Sequence, residues 1–347
     1  MSGGPIVSVS PLGFPWATVD PFLFCVFHND RYPRSDGDLA PAASLAGRNL
    51  GQDFSGKDGW SMYHGLKVPG FPAHPHRGFE TVTIVRQGLV DHADSLGAAA
   101  RYGRGDVQWL TTGNGVVHSE MFPLLESQAD NPLQLFQVWL NLPARSKLAP
   151  PHFTMFWAES LPRTVLRDEA GRRTEIVVVA GRYQGPGVDV QSLPPPPDSW
   201  AARPEADLAI WTLRLEPNAL VRIPAATGGA ATVRRLYFFA GEDLTVDEWR
   251  VARHSVIEVA ADRPVAVVNG AQESELLMLQ GRPIGEPVVQ HGPFVMNSAA
   301  EIEQTFAAFR RTQFGKWTWP DTAPVHGGDN ARFARYPNGR LERPPIA

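Results

Sequence analysis

Two histidine-containing pairs at alternate-residue spacing constrain this chain more than any other feature. They lie in G-F-P-A-H-P-H-R-G-F-E-T-V-T-I-V at 70–85 and in G-N-G-V-V-H-S-E-M at 113–121. His74 with His76, and His118 with Glu120, are each spaced i,i+2, which in an extended strand turns both side chains to one face. The flanks read as strands. F-E-T-V-T-I-V at 79–85 is rich in β-branched residues, Arg86-Gln87-Gly88 reads as a turn, and Leu89 to Asp94 completes a hairpin. Gly103, Gly105, Gly113 and Gly115 leave D-V-Q-W-L-T and V-V-H-S-E-M as further short strands. Three imidazoles and a carboxylate meeting inside a barrel would hold one divalent transition metal and leave room for water or substrate. That donor set suits iron, zinc, nickel or copper, and without thiolates it does not suit a structural zinc cage. Glu80 shares parity with His74 and His76, so parity leaves both Glu80 and Glu120 open as the carboxylate ligand.

The remaining chain reads as β-structure with one helix. Past L-Q-L-F-Q-V-W-L-N-L-P at 133–143 comes a connector, 146–205, containing one strong strand at 175–181 and a stiff L-P-P-P-P-D run at 193–198. Five evenly spaced apolar runs between Ala209 and Gly281 then indicate a second barrel. It contains neither H-x-H nor H-x-E, so it is assigned no metal. Ser298 and Glu301 form a capping box for a helix whose apolar stripe is Ile302, Thr305, Phe306 and Phe309. The expected architecture is all-β: two tandem barrels with a short C-terminal helix. The expected divisions are a metal-binding domain at 1–145 with an inserted loop at 29–69, the connector, a second domain at 206–315, and an extended tail at 316–347 lying across the body without regular structure. Residues 1–30 are expected to supply edge strands closing the first barrel. The 29–69 loop is read equally as pocket rim or as surface elaboration.

Composition narrows the function. A formal net charge of −4 argues against a nucleic-acid footprint. The single cysteine, Cys25 in F-L-F-C-V-F, excludes an internal disulfide and reads as a buried thiol in a reducing compartment. No apolar stretch is long enough to span a membrane, and the first residues lack a signal-peptide pattern. A cytoplasmic location is expected. No Ser-His-Asp arrangement, Walker loop or dinucleotide fingerprint is present. His92 and His291 stand singly and read as structural, as do Asp94 and Ser95 in a turn. Gln137 is read either as a neighbour of the metal or as a satisfied core glutamine.

At H-P-H-R-G-F-E-T-V-T, D-S-L-G, G-D-V-Q-W-L-T-T-G-N-G-V-V-H-S-E-M and G-R-P-I-G-E-P-V-V-Q-H-G-P-F-V-M-N-S, the chain resembles the cupin superfamily and, within it, the pirin family. The resemblance covers roughly 15–28, 65–143 and 205–315. The loop, the Pro-rich connector and the tail are read as the chain's own. It implies a two-cupin fold whose metal ligands are His74, His76, His118 and Glu120, with Glu80 outside the ligand set. The implied metal is iron, with zinc, nickel, copper or manganese as other occupants. The implied activity is of quercetin 2,3-dioxygenase type, opening an aromatic flavonol-like substrate with O2 and releasing carbon monoxide. In that scheme Glu120 or Glu80 would accept the substrate's hydroxyl proton. Two other readings stand beside it. One is a non-catalytic, redox-sensitive iron protein that binds a regulatory protein. The other is a dioxygenase or isomerase for an unidentified small molecule.

Overall fold

The structure is a computed structural model describing residues 4–252 and 254–346. It contains two compact β-units. One comprises the described residues up to Cys25 together with Leu161–Gly285. The other comprises Val26–Ser160 and the described residues from Glu286 onward.

In the unit that carries the histidine pairs, two sheets enclose one core. A five-stranded sheet runs in the order His152–Phe156, Val107–Thr111, Phe79–Gln87, Asn131–Asn141, Phe22–Tyr32. A six-stranded sheet runs in the order Leu341–Glu342, Phe333–Arg335, Ala99–Gly103, Leu89–Asp94, Val116–Met121, Gly70–His76. Phe79–Gln87 is central, and its first seven residues are all buried. That environment selects the β-branched run seen in the sequence. Val85, Leu110 and Leu135 from one sheet meet Val90, Tyr102 and Val116 from the other in a single apolar cluster. Both faces of this core are therefore fixed by alternation along each strand.

The second unit is built the same way. Its seven-stranded sheet is ordered Ile6–Pro11, Ser255–Ala260, Val233–Ala240, Ser274–Gly281, Ala209–Leu215, Arg173–Ala180, Arg163–Arg167. The facing four-stranded sheet is ordered Leu220–Ile223, Val265–Asn269, Asp243–Val246, Trp249–Ala252. Trp211, Leu213, Leu236, Ile257, Val265 and Met278 are core residues here.

Three expectations about order along the chain are corrected. Of the runs expected to close the first barrel, Phe22–Tyr32 does form the edge of its five-stranded sheet, but Ile6–Pro11 pairs with Ser255–Ala260 and adds to the second unit's sheet. The 146–205 segment is not merely a connector. Arg173–Ala180 pairs with Ala209–Leu215 and with Arg163–Arg167, inside the seven-stranded sheet. The tail does not lack regular structure, since Phe333–Arg335 pairs with Ala99–Gly103 and continues the six-stranded sheet. In each case local pattern identified a strand or a break but not its long-range partner.

The helix Ala299–Thr312 starts as its capping box requires, with Ser298 Oγ accepting from Glu301 N at 3.3 Å. Ile302 and Thr305 are buried, and Phe306 and Phe309 pack on Phe294, Met296 and Phe314. Beyond the end of the strand Phe22–Tyr32, the 29–69 segment holds a short 3₁₀ turn, Lys57–Gly59, and isolated bridges such as Asp53 with Tyr63, yet it is tightly bound. Arg48 Nη1 meets Asp53 Oδ2 at 2.9 Å, and its guanidinium lies 3.4 Å from the Trp60 ring centroid. Tyr63 donates to Asp30 Oδ2 at 2.7 Å and stacks on Phe71 with ring centroids 5.1 Å apart. The Phe71 ring in turn lies 6.4 Å from that of His74. The loop thus reaches the histidines through an aromatic chain and does not serve only as surface elaboration.

Candidate metal centre

Strand register brings the two sequence motifs together. Gly70–His76 runs antiparallel to Val116–Met121 with His74 opposite His118, so both imidazoles share a face. A register shift between Phe71 and His74 interrupts the pairing just before the histidines. The ring centroids of His74 and His118 are 4.5 Å apart, those of His74 and His76 4.8 Å, and those of His76 and His118 5.0 Å. One nitrogen from each ring lies within 4.8 Å of the others, as one shared ion would require.

Backbone carbonyls fix the tautomers of two of these rings. His74 Nδ1 is 2.8 Å from Pro72 O, and His76 Nδ1 is 3.4 Å from Pro293 O. A carbonyl only accepts, so each Nδ1 carries the proton and each Nε2 presents a lone pair. His118 is fully buried, and neither of its nitrogens has a hydrogen-bond partner among the described residues. An imidazole in that position without an ion would leave costly unsatisfied polar atoms. Burial also keeps the rings neutral. It pushes the pKa of His74 down to about 4, and with the neighbouring histidines it holds His76 and His118 well below the usual imidazole range. Neutral, oriented and convergent imidazoles fit a transition metal.

Glu120 lies at the edge of this cluster. Its Oε2 is 3.9 Å from His118 Nε2, and the carboxylate stands outside the set of mutually close ligand atoms. Gln137 Nε2 donates to Oε2 at 2.7 Å and Thr83 Oγ1 to Oε1 at 3.2 Å. Burial raises the Glu120 pKa, while His92, Gln137 and Thr83 oppose that rise. Gln137 therefore stands beside the histidine cluster with its amide engaged, and it orients Glu120. Trp139 Nε1 in turn donates to Gln137 Oε1 at 3.3 Å.

Glu80 does not join the cluster. It sits on the face of its strand opposite Thr83 and accepts from Thr111 Oγ1 at 2.6 Å. Parity counted across Arg77-Gly78 misleads because Gly78, at φ 87°, turns the chain from one sheet into the other. Sequence reasoning missed Thr83 and Phe79, and read Trp139 only as sharing the face of Gln137. The Phe79 ring lies 5.1 Å from His76 and 4.4 Å from Trp139, and Trp139 lies 5.3 Å from His76. The available signal was parity within the strand itself, which puts Phe79, Thr81 and Thr83 on one face. His92 Nε2 meets Asp94 Oδ2 at 3.1 Å, with its ring centroid 5.5 Å from His118. Asp94 Oδ1 accepts from Leu96 N and Ala98 N, closing the turn.

The two carboxylates are separable by experiment. Glu120→Gln is expected to weaken metal retention by roughly tenfold or more, the scale for losing a ligand or its orienting partner. Glu80→Gln should leave metal content unchanged and cost about 1 kcal/mol or less in stability. Elemental analysis after gel filtration against a weak chelator checks this, and the reverse order would return the carboxylate ligand to the first motif.

Comparison with known proteins follows the same two units. The pirin family model matches residues 46–140, and the model described as the pirin C-terminal cupin domain matches 210–315. The first match begins inside the segment that the sequence reading took for an insertion. A Pseudomonas aeruginosa protein provisionally named as a quercetin 2,3-dioxygenase is 35% identical over 250 residues, covering 71% of this chain and 79% of that one. Pirin-1 of Arabidopsis thaliana is 34% identical over 251 residues, covering 71% and 78%. Pirin of Homo sapiens is 29% identical over 257 residues, covering 73% and 80%. The crystal structure of a quercetin 2,3-dioxygenase from Acinetobacter baumannii shares the fold, with a TM-score of 0.68 over 90% of this chain and 98% of that one at 24% identity.

Proposed function

Because the chain belongs to the pirin family, we propose that it is a metal-dependent dioxygenase of quercetin 2,3-dioxygenase type, with iron held by His74, His76, His118 and Glu120. The observation that carries this reading is the convergence of three neutral imidazoles, two with their Nε2 lone pairs fixed by backbone carbonyls. Imidazole and carboxylate donors suit iron, and also zinc, nickel, copper or manganese. Such an ion, once bound, supplies Lewis acidity towards an ionised enol and a centre for reaction with O2.

The protein's own residues then have distinct tasks. Burial raises the Glu120 pKa in the metal-free site and a bound ion would lower it again, so Glu120 would accept the hydroxyl proton of an aromatic enol only through a loosely held carboxylate oxygen. Gln137 and Thr83 hold the carboxylate in place during that transfer. His74, Gln137 and Trp139 are the partly exposed members of the group, so they mark the side from which a substrate enters. Phe79 and Trp139 provide an aromatic wall beside His76 for a planar ligand. Among the described residues no helix is long and apolar enough to cross a membrane, in keeping with a small-molecule substrate met in solution.

Anaerobic optical titration of iron-loaded protein with a flavonol tests the reading. The expected result is a shifted ligand band, followed by carbon monoxide release on admission of air. Absence of binding overturns the enzymatic reading in favour of a non-catalytic iron protein.

A further inference from the structure

We infer that the second β-unit carries a binding site of its own, shaped for the carboxylate of a small organic acid. Strand register places Arg234 opposite Gln280 and Gln280 opposite Ala209, so these residues share the inner face that deeper in holds Leu236, Met278 and Trp211. At this end of the core the apolar layer gives way to a cavity of about 360 Å³, within the size range of small-molecule sites. Arg234, Gln280, Trp211, Arg203, Leu208 and Pro224 are among its lining residues.

The lining is rich in donors and short of free acceptors. Arg234 is 1% exposed, yet among the described residues its guanidinium donates to neutral groups alone, Gln280 Oε1 at 2.8 Å and Pro224 O at 2.8 Å. Gln280 Nε2 donates to Asp207 O at 3.0 Å, which fixes the amide so that its oxygen faces Arg234. The carboxylate of Asp207 is already engaged by Thr227 Oγ1, Gly228 N and Thr232 Oγ1 at 2.6–2.9 Å. The Trp211 indole N–H and the Arg203 Nε are buried with no acceptor among the described residues. Arg182, half-exposed at the rim, is paired with Asp189.

Asp207 is near enough for its charge to favour the Arg234 cation but makes no hydrogen bond to it, and a buried guanidinium with no carboxylate in contact is costly, as is a buried indole N–H without an acceptor. Burial lowers the Arg234 pKa only to about 10, so the guanidinium stays charged at neutral pH. An anionic oxygen seated in the cavity would supply the acceptor that these donors lack. A planar carboxylate matches the guanidinium fork. A dianionic phosphate fits less well, because Arg234 is the sole fully buried cation of the lining and no lysine lies there.

Calorimetric titration of the full chain with acetate, pyruvate and benzoate tests this, with benzamide as the neutral counterpart and inorganic phosphate as the competing anion. At least one carboxylate should bind saturably, and benzoate should bind roughly tenfold or more tightly than benzamide, the scale of a charge-assisted hydrogen bond. The same binding should persist in His118→Ala, which separates it from the metal centre. Arg234→Gln should lose it. Should that variant not fold, Trp211→Phe, which keeps the ring but removes the N–H, and Arg203→Gln should each weaken it several-fold. The proposal is overturned if none of the three carboxylates binds, which would mean that ordered water satisfies the donors. Equal affinity for benzoate and benzamide, tighter binding of phosphate, or unchanged affinity in the folded variants would overturn it as well.

Discussion

His118→Ala should abolish stable metal binding while leaving the metal-free protein as stable as its parent, or nearly so. Two opposing magnitudes lead to this expectation. Removing a fully buried ring leaves a void, and large-to-small core substitutions of that size commonly cost about 3–5 kcal/mol. Here the ring also carries two nitrogens without partners, and each buried unsatisfied polar atom costs about 1–3 kcal/mol when no ion is bound. The two effects offset each other, so the metal-free variant and the metal-free parent should unfold within about 2 kcal/mol of one another. The loaded proteins should differ strongly. An ion present at 1,000 times its dissociation constant stabilises the native state by about 4 kcal/mol, and this is lost with the ligand. Loss of affinity should exceed the roughly 10–100-fold expected for removing a merely orienting partner. Chemical denaturation of both proteins, with and without metal, together with elemental analysis, gives the four stabilities needed. Full metal occupancy in His118→Ala would refute the assignment. Collapse of the metal-free variant alone would show instead that His118 is a packing residue.

The site was legible where chemistry and strand periodicity coincide in one motif. His74, His76 and His118 are spaced by two or lie in strands bounded by glycine, so their convergence required only that the two strands pair. Glu80 shows where that reasoning fails. Counting by twos holds within a strand but not across a turn with positive φ that leads into another sheet. For Thr83 and Trp139 parity gave the face of the strand but not the role. Their role comes from cross-strand neighbours, with Thr83 beside Gln137 and Thr81 beside Trp139 in the register of the five-stranded sheet. Nothing in the local sequence states that pairing. The same limit explains the fold-level corrections. The run I-V-S-V-S reads correctly as a strand, yet its partner, Ser255–Ala260, lies about 250 residues away. Arg173–Ala180 was recognisable as a strand from its β-branched run E-I-V-V-V-A but not as an interior one, because it is bracketed by segments that look like linker.

The pH dependence of metal-linked stability should separate Glu120 from the histidines. Each ligand must lose its proton to bind, so the ion stabilises the deprotonated forms and lowers their pKa values. The sign follows directly. Metal-linked stability is complete above the pKa values of the metal-free folded site and is lost as pH falls through them. Ordinary imidazoles near ~6.5 would place that loss between neutral pH and roughly 5. Burial moves it lower, since His74 is already pushed down to about 4 and His76 and His118 lie well below the usual value. Glu120 is displaced the other way, raised by burial above the ordinary carboxylate value. The gap in melting temperature between loaded and metal-free protein should therefore be flat near neutral pH. It should begin to close as Glu120 takes up its proton and close further as pH approaches 4, where His74 begins to compete. His28, lowered to about 4 by burial, and Asp30, raised to about 6 by burial, titrate in both forms and cancel from the difference. In Glu120→Gln the earlier part of the loss should vanish and the later part remain. Thermal scans of both proteins at fixed metal concentration between pH 7 and roughly 4 make the comparison. Identical profiles would remove Glu120 from the ligand set, and a gap that never closes would remove the histidines.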